Sequence, residues 1–263
     1  MELIDTHCHL DFPVFDTDRE ALLAQWRQLG VGEYIIPAVG EENWGRVMAL
    51  AGRHDDIRYG LGIHPWYVGK QPRDALTRLE TLLASRPRGL VAVGECGLDL
   101  RSHVPQEGQV EMFEAQVRLA MAHELPLIVH SVRANDTVAK ILRRFTPPQG
   151  GVIHAFSGSL HQAEVFWQLG FRLGIGGVIS YERANKTREA IRQMPLEALL
   201  LETDAPDMPL QGRQGEINTP ASLPTIALLL AQLRQQPLAD VISVLHESTL
   251  RLFPRATMNL TAD

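Results

Sequence analysis

Two histidines lie two residues apart near the start of the chain, in the stretch DTHCH at positions 5–9. The apolar run before them predicts a buried strand, and side chains at positions i and i+2 of a strand share one face. His7 and His9 are therefore expected to point the same way, where two imidazoles can hold a divalent metal ion. Taken alone, the pair is equally consistent with two hydrogen-bonded or surface histidines.

Metal-ligand residue types also follow the apolar runs of other predicted strands. In "VAVGECGLD" Glu95 shares a face with Val91 and Val93, and in "PLIVHS" His130 shares one with Ile128. Burying many imidazoles and carboxylates together without a counter-ion is costly, and a divalent metal removes that cost. The sequence therefore predicts a metal site, with these further residues at strand ends: His64, Glu95, His130, His154, Glu202 and Asp204.

The predicted ligands exceed the needs of a single tetrahedral zinc ion. Two divalent ions roughly 3.5–4 Å apart, sharing a carboxylate and a water, account for them better. None of the three lysines lies at a predicted strand end, so Glu95 is the expected bridge. Sites of histidine and carboxylate accept zinc, manganese, nickel or magnesium, and the sequence does not select among these ions.

Eight short apolar runs alternate with amphipathic stretches along the chain. The predicted strands are Glu2–Thr6, Tyr34–Val39, Arg58–Ile63, Leu90–Glu95, Pro126–Ser131, Val152–Phe156, Phe171–Ile179 and Leu199–Thr203. This alternation predicts an α/β fold in which residues 1–263 form one domain, a (β/α)8 TIM barrel, with a doubly wound open sheet as the alternative. In such barrels the chemistry is carried out at the carboxyl ends of the strands.

Composition restricts the classes of partner. The net charge of −6 has the wrong sign for a protein that binds nucleic acid through a broad basic face. A nuclease remains possible because bound cations supply local positive charge. The sequence shows no membrane span, no secretory segment and no obligate protein partner, and it has only two cysteines. These features favour a cytoplasmic location.

The motifs together resemble the TatD family of metal-dependent hydrolases, within the amidohydrolase-like barrels. The matching pieces appear in the family's order between residues 5 and 220: "DTHCHLD", "GIHP", "GECGLD", "PLIVHS", "HAFSG", "ETDAP" and "NTP". The resemblance implies a barrel with two divalent ions that hydrolyses phosphodiesters, often as a deoxyribonuclease.

Residue roles follow from the resemblance, motif by motif. One metal would be held by His7, His9, Glu95 and Asp204, and the other by Glu95, His130 and His154. His64 resembles a substrate-side residue and Glu202 a partner behind the ligands. Asp5 is expected either to orient an imidazole, as carboxylates behind metal ligands commonly do, or to make an unrelated buried hydrogen bond.

The chain departs from the family pattern mainly where substrate would lie. Leu100 follows the "GLD" motif in place of a common tyrosine, and Val132 displaces the usual arginine to Arg133. Asp207 and Met208 replace a common aromatic continuation, and Ser248 stands at the place of an asparagine near the C-terminus. None of these positions is a predicted ligand, so they bear on the substrate.

The sequence as a whole favours a two-metal hydrolase that cleaves DNA phosphodiester bonds. Asp204 would take the proton of the attacking water, while His64 and Arg133 would hold phosphate. One alternative is hydrolysis of a small ester or amide, such as an aminoacyl bond, at the same site. A further alternative is a metal-binding protein without catalytic activity.

Overall fold

The strands form one parallel sheet whose order in space follows their order in the chain. The structure is a computed structural model, and it describes residues 2–253. The strands are β1 (Leu3–Asp5), β2 (Val31–Pro37), β3 (Ile57–Leu61), β4 (Leu90–Asp99), β5 (Leu127–Val132), β6 (Gly151–Ile153), β7 (Phe171–Ile175) and β8 (Leu199–Leu201).

Helices connect successive strands, as parallel pairing requires. They are α1 (Arg19–Gln28), α2 (Glu41–Ala51), α3 (Ala75–Ala84), α4 (Gln106–Ala122), α5 (Asn135–Phe145), α6 (Leu160–Gln168), α7 (Asn185–Gln193), α8 (Leu223–Arg234) and α9 (Leu238–Leu252). No helix in residues 2–253 has the length and apolar character needed to cross a membrane.

Backbone hydrogen bonds join the first strand to the last and close the sheet. The amide of Thr6 donates to the carbonyl of Leu201 at 3.0 Å, and the amide of Asp204 donates to the carbonyl of His7 at 2.8 Å. The amide of His9 donates to the carbonyl of Ala205 at 2.7 Å. The predicted (β/α)8 barrel is therefore confirmed, and the open-sheet alternative is wrong.

Two apolar layers pack on the two faces of the sheet. The larger layer lies between the strands and the surrounding helices. The smaller one fills the interior of the barrel and consists of Ile35, Val91, Ala92, Ile128, Val152, Leu200, Leu252 and Phe253. Side chains alternate along a strand. His130, His154 and Glu202 therefore each stand two residues beyond an interior apolar side chain, at the carboxyl end of the barrel.

The strand boundaries differ from the predicted ones by a few residues, and the largest differences lie at the ends of β4 and β7. β4 continues through Asp99 instead of ending at Glu95, since it pairs with β5 as far as Val132. β7 ends at Ile175 instead of Ile179, and a 3₁₀ turn over Gly177–Ser180 follows. A side chain at position 177 would collide with the backbone carbonyl of Met208, so this glycine lets the chain after β8 lie across the end of β7.

Truncation inside the barrel tests the packing beneath the site. Ile128 is fully buried in the interior layer. Ile128→Ala is expected to lower the free energy of unfolding by about 2–5 kcal/mol, because the barrel cannot collapse fully around the space that the missing atoms leave. Leu228→Ala on α8 is the control, since Leu228 is 44% exposed. Urea unfolding measures both variants, and equal small losses of stability would contradict this account of the interior.

Candidate metal centre

The Glu95 carboxylate lies at the middle of a cluster of imidazoles, and its two oxygens face different groups. Oε1 lies 2.8 Å from Nδ1 of His130 and 2.9 Å from Nε2 of His154. Oε2 lies 3.4 Å from Nε2 of His7 and 3.6 Å from Nε2 of His9. The carboxylate, which is 2% exposed, thus stands between the first histidine pair and a second one.

Asp204 completes the group around Oε2 of Glu95. Its Oδ1 lies 3.5 Å from Nε2 of His7 and 3.8 Å from Nε2 of His9. The structure therefore brings all six sequence-predicted ligands to one end of the barrel, with His7 and His9 nearest Oε2 of Glu95 and His130 and His154 nearest Oε1, although the rings of His7 and His154 also stack on each other. Three overlapping groups of these side chains, one of which includes His64, have ligand atoms within 4.8 Å of one another.

Unusual backbone conformations place several of these residues. Gly97 has φ +133°, and a side chain there would collide with the backbone of His130, so glycine permits the close approach of β4 and β5. Arg133, Ala155 and Asp204 follow strand ends with φ of 54°, 45° and 58°. Residues other than glycine adopt this left-handed region at a cost that surrounding structure must offset, and such residues cluster at functional sites.

Buried imidazole nitrogens without hydrogen-bond partners test whether a metal fits. Within the described part of the chain, neither ring nitrogen of His7 has a hydrogen-bond partner, and the same holds for Nδ1 of His9 and of His154. Buried polar atoms normally have a partner, and leaving one without costs free energy. A cation accepting lone pairs from this set of nitrogens and carboxylate oxygens removes that deficit, so the residues fit a divalent metal.

The electrostatics of the cluster agree with this fit. Burial opposes ionisation of Glu95, but the surrounding imidazoles outweigh it and hold the pKa of this carboxyl well below its usual range. Burial lowers the pKa of His7 and His154, and lowers that of His64 to about 3. At neutral pH these three rings are therefore uncharged and keep a free lone pair, which is the form that binds metals.

Asp204 is a carboxylate whose negative charge is poorly compensated by the residues around it. Burial, together with the nearby charge of Glu95, raises its pKa well above the usual range. Two carboxylates so close to each other repel when both are ionised. A divalent cation between them offsets this repulsion, which is a second reason why the donor set suits a metal.

Asp99 is a residue whose role sequence reasoning missed. It is fully buried, and its Oδ2 lies 3.1 Å from Nε2 of His130 and accepts a hydrogen bond from the indole nitrogen of Trp66 at 2.8 Å. Burial lowers the pKa of His130, but the carboxylates of Asp99 and Glu95 outweigh it and raise this pKa to about 9. Asp99 thus holds the far side of the ring, so that Nδ1 faces Glu95.

A signal for Asp99 was present in the sequence. Glu95 and Asp99 are four residues apart on one strand and therefore share a face. The partner Trp66 lies in a 3₁₀ segment after β3, and no local pattern connects it to β4.

Asp5 and Glu202 accept hydrogen bonds from backbone amides, and Asp5 also from a hydroxyl, rather than from imidazole rings. Asp5 accepts hydrogen bonds from the amides of His7 and Thr203, at 3.3 and 3.0 Å, and from the Thr203 hydroxyl at 2.6 Å. Of the two expectations for Asp5, the structure shows the buried hydrogen bond. Glu202 accepts from the amide of Ala155, next to His154, and it fits because Gly174 leaves room for its carboxylate.

The two residues predicted to hold substrate lie at different depths from the protein surface. His64 is nearly buried, and its Nε2 lies 3.4 Å from Oε1 of Glu95, within the cluster itself. Arg133 is exposed and lines a cleft of about 770 Å³. His130, His154 and Asp204 also line this cleft, so it opens directly onto the metal centre.

Comparison with known proteins agrees with the motifs and the geometry. Residues 4–254 match the sequence model of a family described as TatD related DNase. The chain is 47% identical to the "uncharacterized metal-dependent hydrolase YjjV" of Escherichia coli strain K12, over 95% of this chain and 97% of that protein. It is 36% identical to an "uncharacterized metal-dependent hydrolase" of Haemophilus influenzae, over 96% of this chain and 100% of that protein.

Solved structures of TatD proteins have the same fold as this chain. The crystal structure of YjjV, a TatD homologue from E. coli K12, superposes with a TM-score of 0.93 at 46% sequence identity, covering 96% of this chain and 98% of that one. A TatD family hydrolase from Entamoeba histolytica superposes with a TM-score of 0.87 at 17% identity, with the same coverages, and shares the fold.

The position of Glu95 between two groups gives a test by metal analysis. Glu95→Gln is expected to weaken metal binding in both groups, because an amide carries no charge and bridges poorly. His130→Ala should weaken binding only in its own group. The measurement is metal content per chain after dialysis against a weak chelator. If Glu95→Gln keeps as much tightly bound metal as the wild type, Glu95 does not bridge.

Asp99→Asn tests the contact behind His130. We expect metal affinity to fall by about 10–100-fold, the usual effect of removing a carboxylate that orients a ligating histidine. Asp55→Asn is the matched control, since Asp55 is 87% exposed and precedes β3 at the opposite end of the barrel. Chelator competition gives the affinities, and equal values for the two variants would remove Asp99 from the site.

Proposed function

Because the chain belongs to the TatD-related DNase family, we propose that it hydrolyses phosphodiester bonds of DNA at its metal centre. The family and its relatives make it a metal-dependent hydrolase. The observation that carries the proposal is that the two Glu95 oxygens face different histidine pairs, Oε2 the pair His7 and His9 and Oε1 the pair His130 and His154. A shared carboxylate between two groups of ligands is the arrangement of two-metal hydrolases.

Two divalent ions would be held by the residues of the two groups. His7, His9 and Asp204 would bind one ion, His130 and His154 the other, and Glu95 both. When bound, such ions polarise a phosphoryl oxygen and make water a stronger nucleophile at neutral pH. Zinc, manganese, nickel and magnesium all remain candidates for this set of nitrogen and oxygen donors.

Asp204 is the proposed general base. Its carboxylate stands where the cleft meets the cluster, close to His7 and His9. From there it accepts the proton of the attacking water within hydrogen-bond distance. The left-handed backbone at Asp204 and the bond from its amide to the carbonyl of His7 fix the direction of this side chain.

His64 and Arg133 are the proposed phosphate-binding residues. The His64 ring is held by the amide of Trp66, which donates to its Nδ1 at 3.1 Å, so that Nε2 points into the cluster. The guanidinium of Arg133 comes from the cleft wall and suits a phosphate oxygen pair. These two side chains would orient the phosphodiester for attack from the side of Asp204.

We further propose that all 263 residues form a single hydrolase unit. The eight strands and nine helices of the described chain run from Leu3 to Leu252 in one continuous barrel. The family match covers almost the same range, residues 4–254.

The direct test is metal-dependent turnover. Metal-free protein is titrated separately with zinc, manganese, nickel and magnesium, and each sample is assayed on a single-stranded DNA oligonucleotide and on an aminoacyl ester. The proposal expects DNA cleavage that is restored by metal. Turnover of the aminoacyl ester alone would show that the same site hydrolyses acyl esters and not phosphodiesters. Tight metal uptake with no turnover would indicate a protein that only binds metal.

Asp204→Asn separates catalysis from metal binding. The amide keeps the size and one ligating oxygen but has almost no basicity. Turnover on the oligonucleotide should fall by roughly 10²-fold or more, in line with the removal of a general base. Metal content and melting temperature are measured alongside and should change far less. A variant with near wild-type turnover would exclude Asp204 as the base.

A further inference from the structure

The cleft extends from the metal centre toward only one side of the barrel. Its floor contains His130, His154 and Asp204, and most of its walls come from residues 131–137 at the end of β5, 155–162 after β6 and 183–187 after β7, with Arg101 and Met208 also lining it. His7, His9 and His64 do not line it. A bound molecule larger than the reacting group would therefore extend over β5 to β7.

The charge of the cleft is opposite in sign to that of the whole chain. Four cationic side chains line it, against two carboxylates, Asp136 and Asp204; the cations are Arg101, Arg133, Arg183 and Lys186. Arg101 is 3.6 Å from Asp99, and Asp136 accepts a hydrogen bond from Gln162. In the described chain, Arg133, Arg183 and Lys186 have no carboxylate partner. An excess of cations in a concave site concentrates anions.

The segment that carries Arg183 and Lys186 is anchored to the neighbouring wall. Thr187, which is buried, accepts a hydrogen bond from the amide of Gly158 at 3.2 Å, and its hydroxyl lies 3.4 Å from that of Ser157. Arg183 stacks over the ring of Tyr181, with its guanidinium carbon 5.0 Å from the ring centre. The two cations are thus presented from a defined surface, while both remain exposed.

We propose that Arg183 and Lys186 form a subsite for a second phosphate of the bound nucleic acid, one that is not cleaved. This inference rests on the proposed function and assigns residues that hold the substrate beyond the reacting phosphate. The volume of about 770 Å³ supports it, because ligand sites of roughly 300–1,000 Å³ enclose whole small molecules and the reacting phosphate fills only part of this one.

The test compares two double variants of equal charge change. Arg183→Gln with Lys186→Gln removes the subsite. Lys140→Gln with Arg143→Gln is the matched control, since both of its residues lie on α5 outside the lining of the cleft. Each metal-loaded protein is assayed for binding of a phosphorothioate octathymidylate, by fluorescence anisotropy at several salt concentrations, with the intact probe verified on a gel.

The subsite variant should bind the octamer about tenfold more weakly or worse, as expected when charge-assisted hydrogen bonds to a phosphate are removed. The slope of log affinity against log salt should become shallower by roughly 0.7 for each phosphate that the variant no longer neutralises. The control variant should match the wild type in both respects. An unchanged affinity in the subsite variant, or no octamer binding by the wild type, overturns the proposal.

A kinetic comparison separates this proposal from the proposed function. For each protein, kcat/KM on octathymidylate is divided by kcat/KM on bis(p-nitrophenyl) phosphate, which has a single phosphate. The ratio should fall about tenfold in the subsite variant alone. Cleavage of both compounds with an unchanged ratio would support the proposed nuclease activity but overturn the proposed subsite. If the wild type cleaves neither compound, binding alone decides the subsite, and the proposed function fails.

Discussion

The buried Glu95 carboxylate, enclosed by imidazoles from four strands, imposes the constraint on which the rest of the structure depends. An ionised carboxylate in a protein interior is costly unless charges or hydrogen bonds compensate for it. Here the compensation comes from side chains near the end of β5 or just after β1, β3 and β6, which have to reach one point at the same level along the barrel axis. A closed parallel barrel provides this, because its strands all end at one face.

Along the axis of the barrel, the residues that stabilise the fold and the residues of the candidate site occupy different levels. Below the cluster, the interior layer that includes Ile128 and Val152 is fully buried and apolar. Above it, ring nitrogens of His7, His9 and His154 have no hydrogen-bond partner within residues 2–253, and Ala155 and Asp204 have left-handed backbone conformations; both features cost free energy. The apolar layer and the outer helices must supply the stability that offsets these costs, while the upper end is left to hold metal and substrate.

Sequence periodicity predicted the parts of this arrangement that follow from alternation along single strands. His130 shares a face with Ile128, and this is enough to place it above the interior layer. Alternation does not show which oxygen of Glu95 meets which ring, since that depends on side-chain torsions. Nor does it show that Trp66 reaches Asp99, because a contact between a 3₁₀ segment and a strand 33 residues away has no local pattern. The end of β7 at Ile175 was missed for the same reason, since it is set by the chain after β8.

The hydrogen bonds between the first and last strands also determine the order in which the two groups of ligands come together as the chain is synthesised. The group around His130 and His154 is complete in a nascent chain that has reached position 154, because Glu95 precedes both. The group around His7 and His9 is incomplete until Asp204 has been made. The amide of Asp204 donates a hydrogen bond to the carbonyl of His7 and so helps to close the barrel. His7 and His9 are therefore the first of the ligands to be synthesised, but their group is the last to have all its members. Both groups of side chains are consequently present only in a chain that has been synthesised through Asp204, where the end of the last strand meets the first.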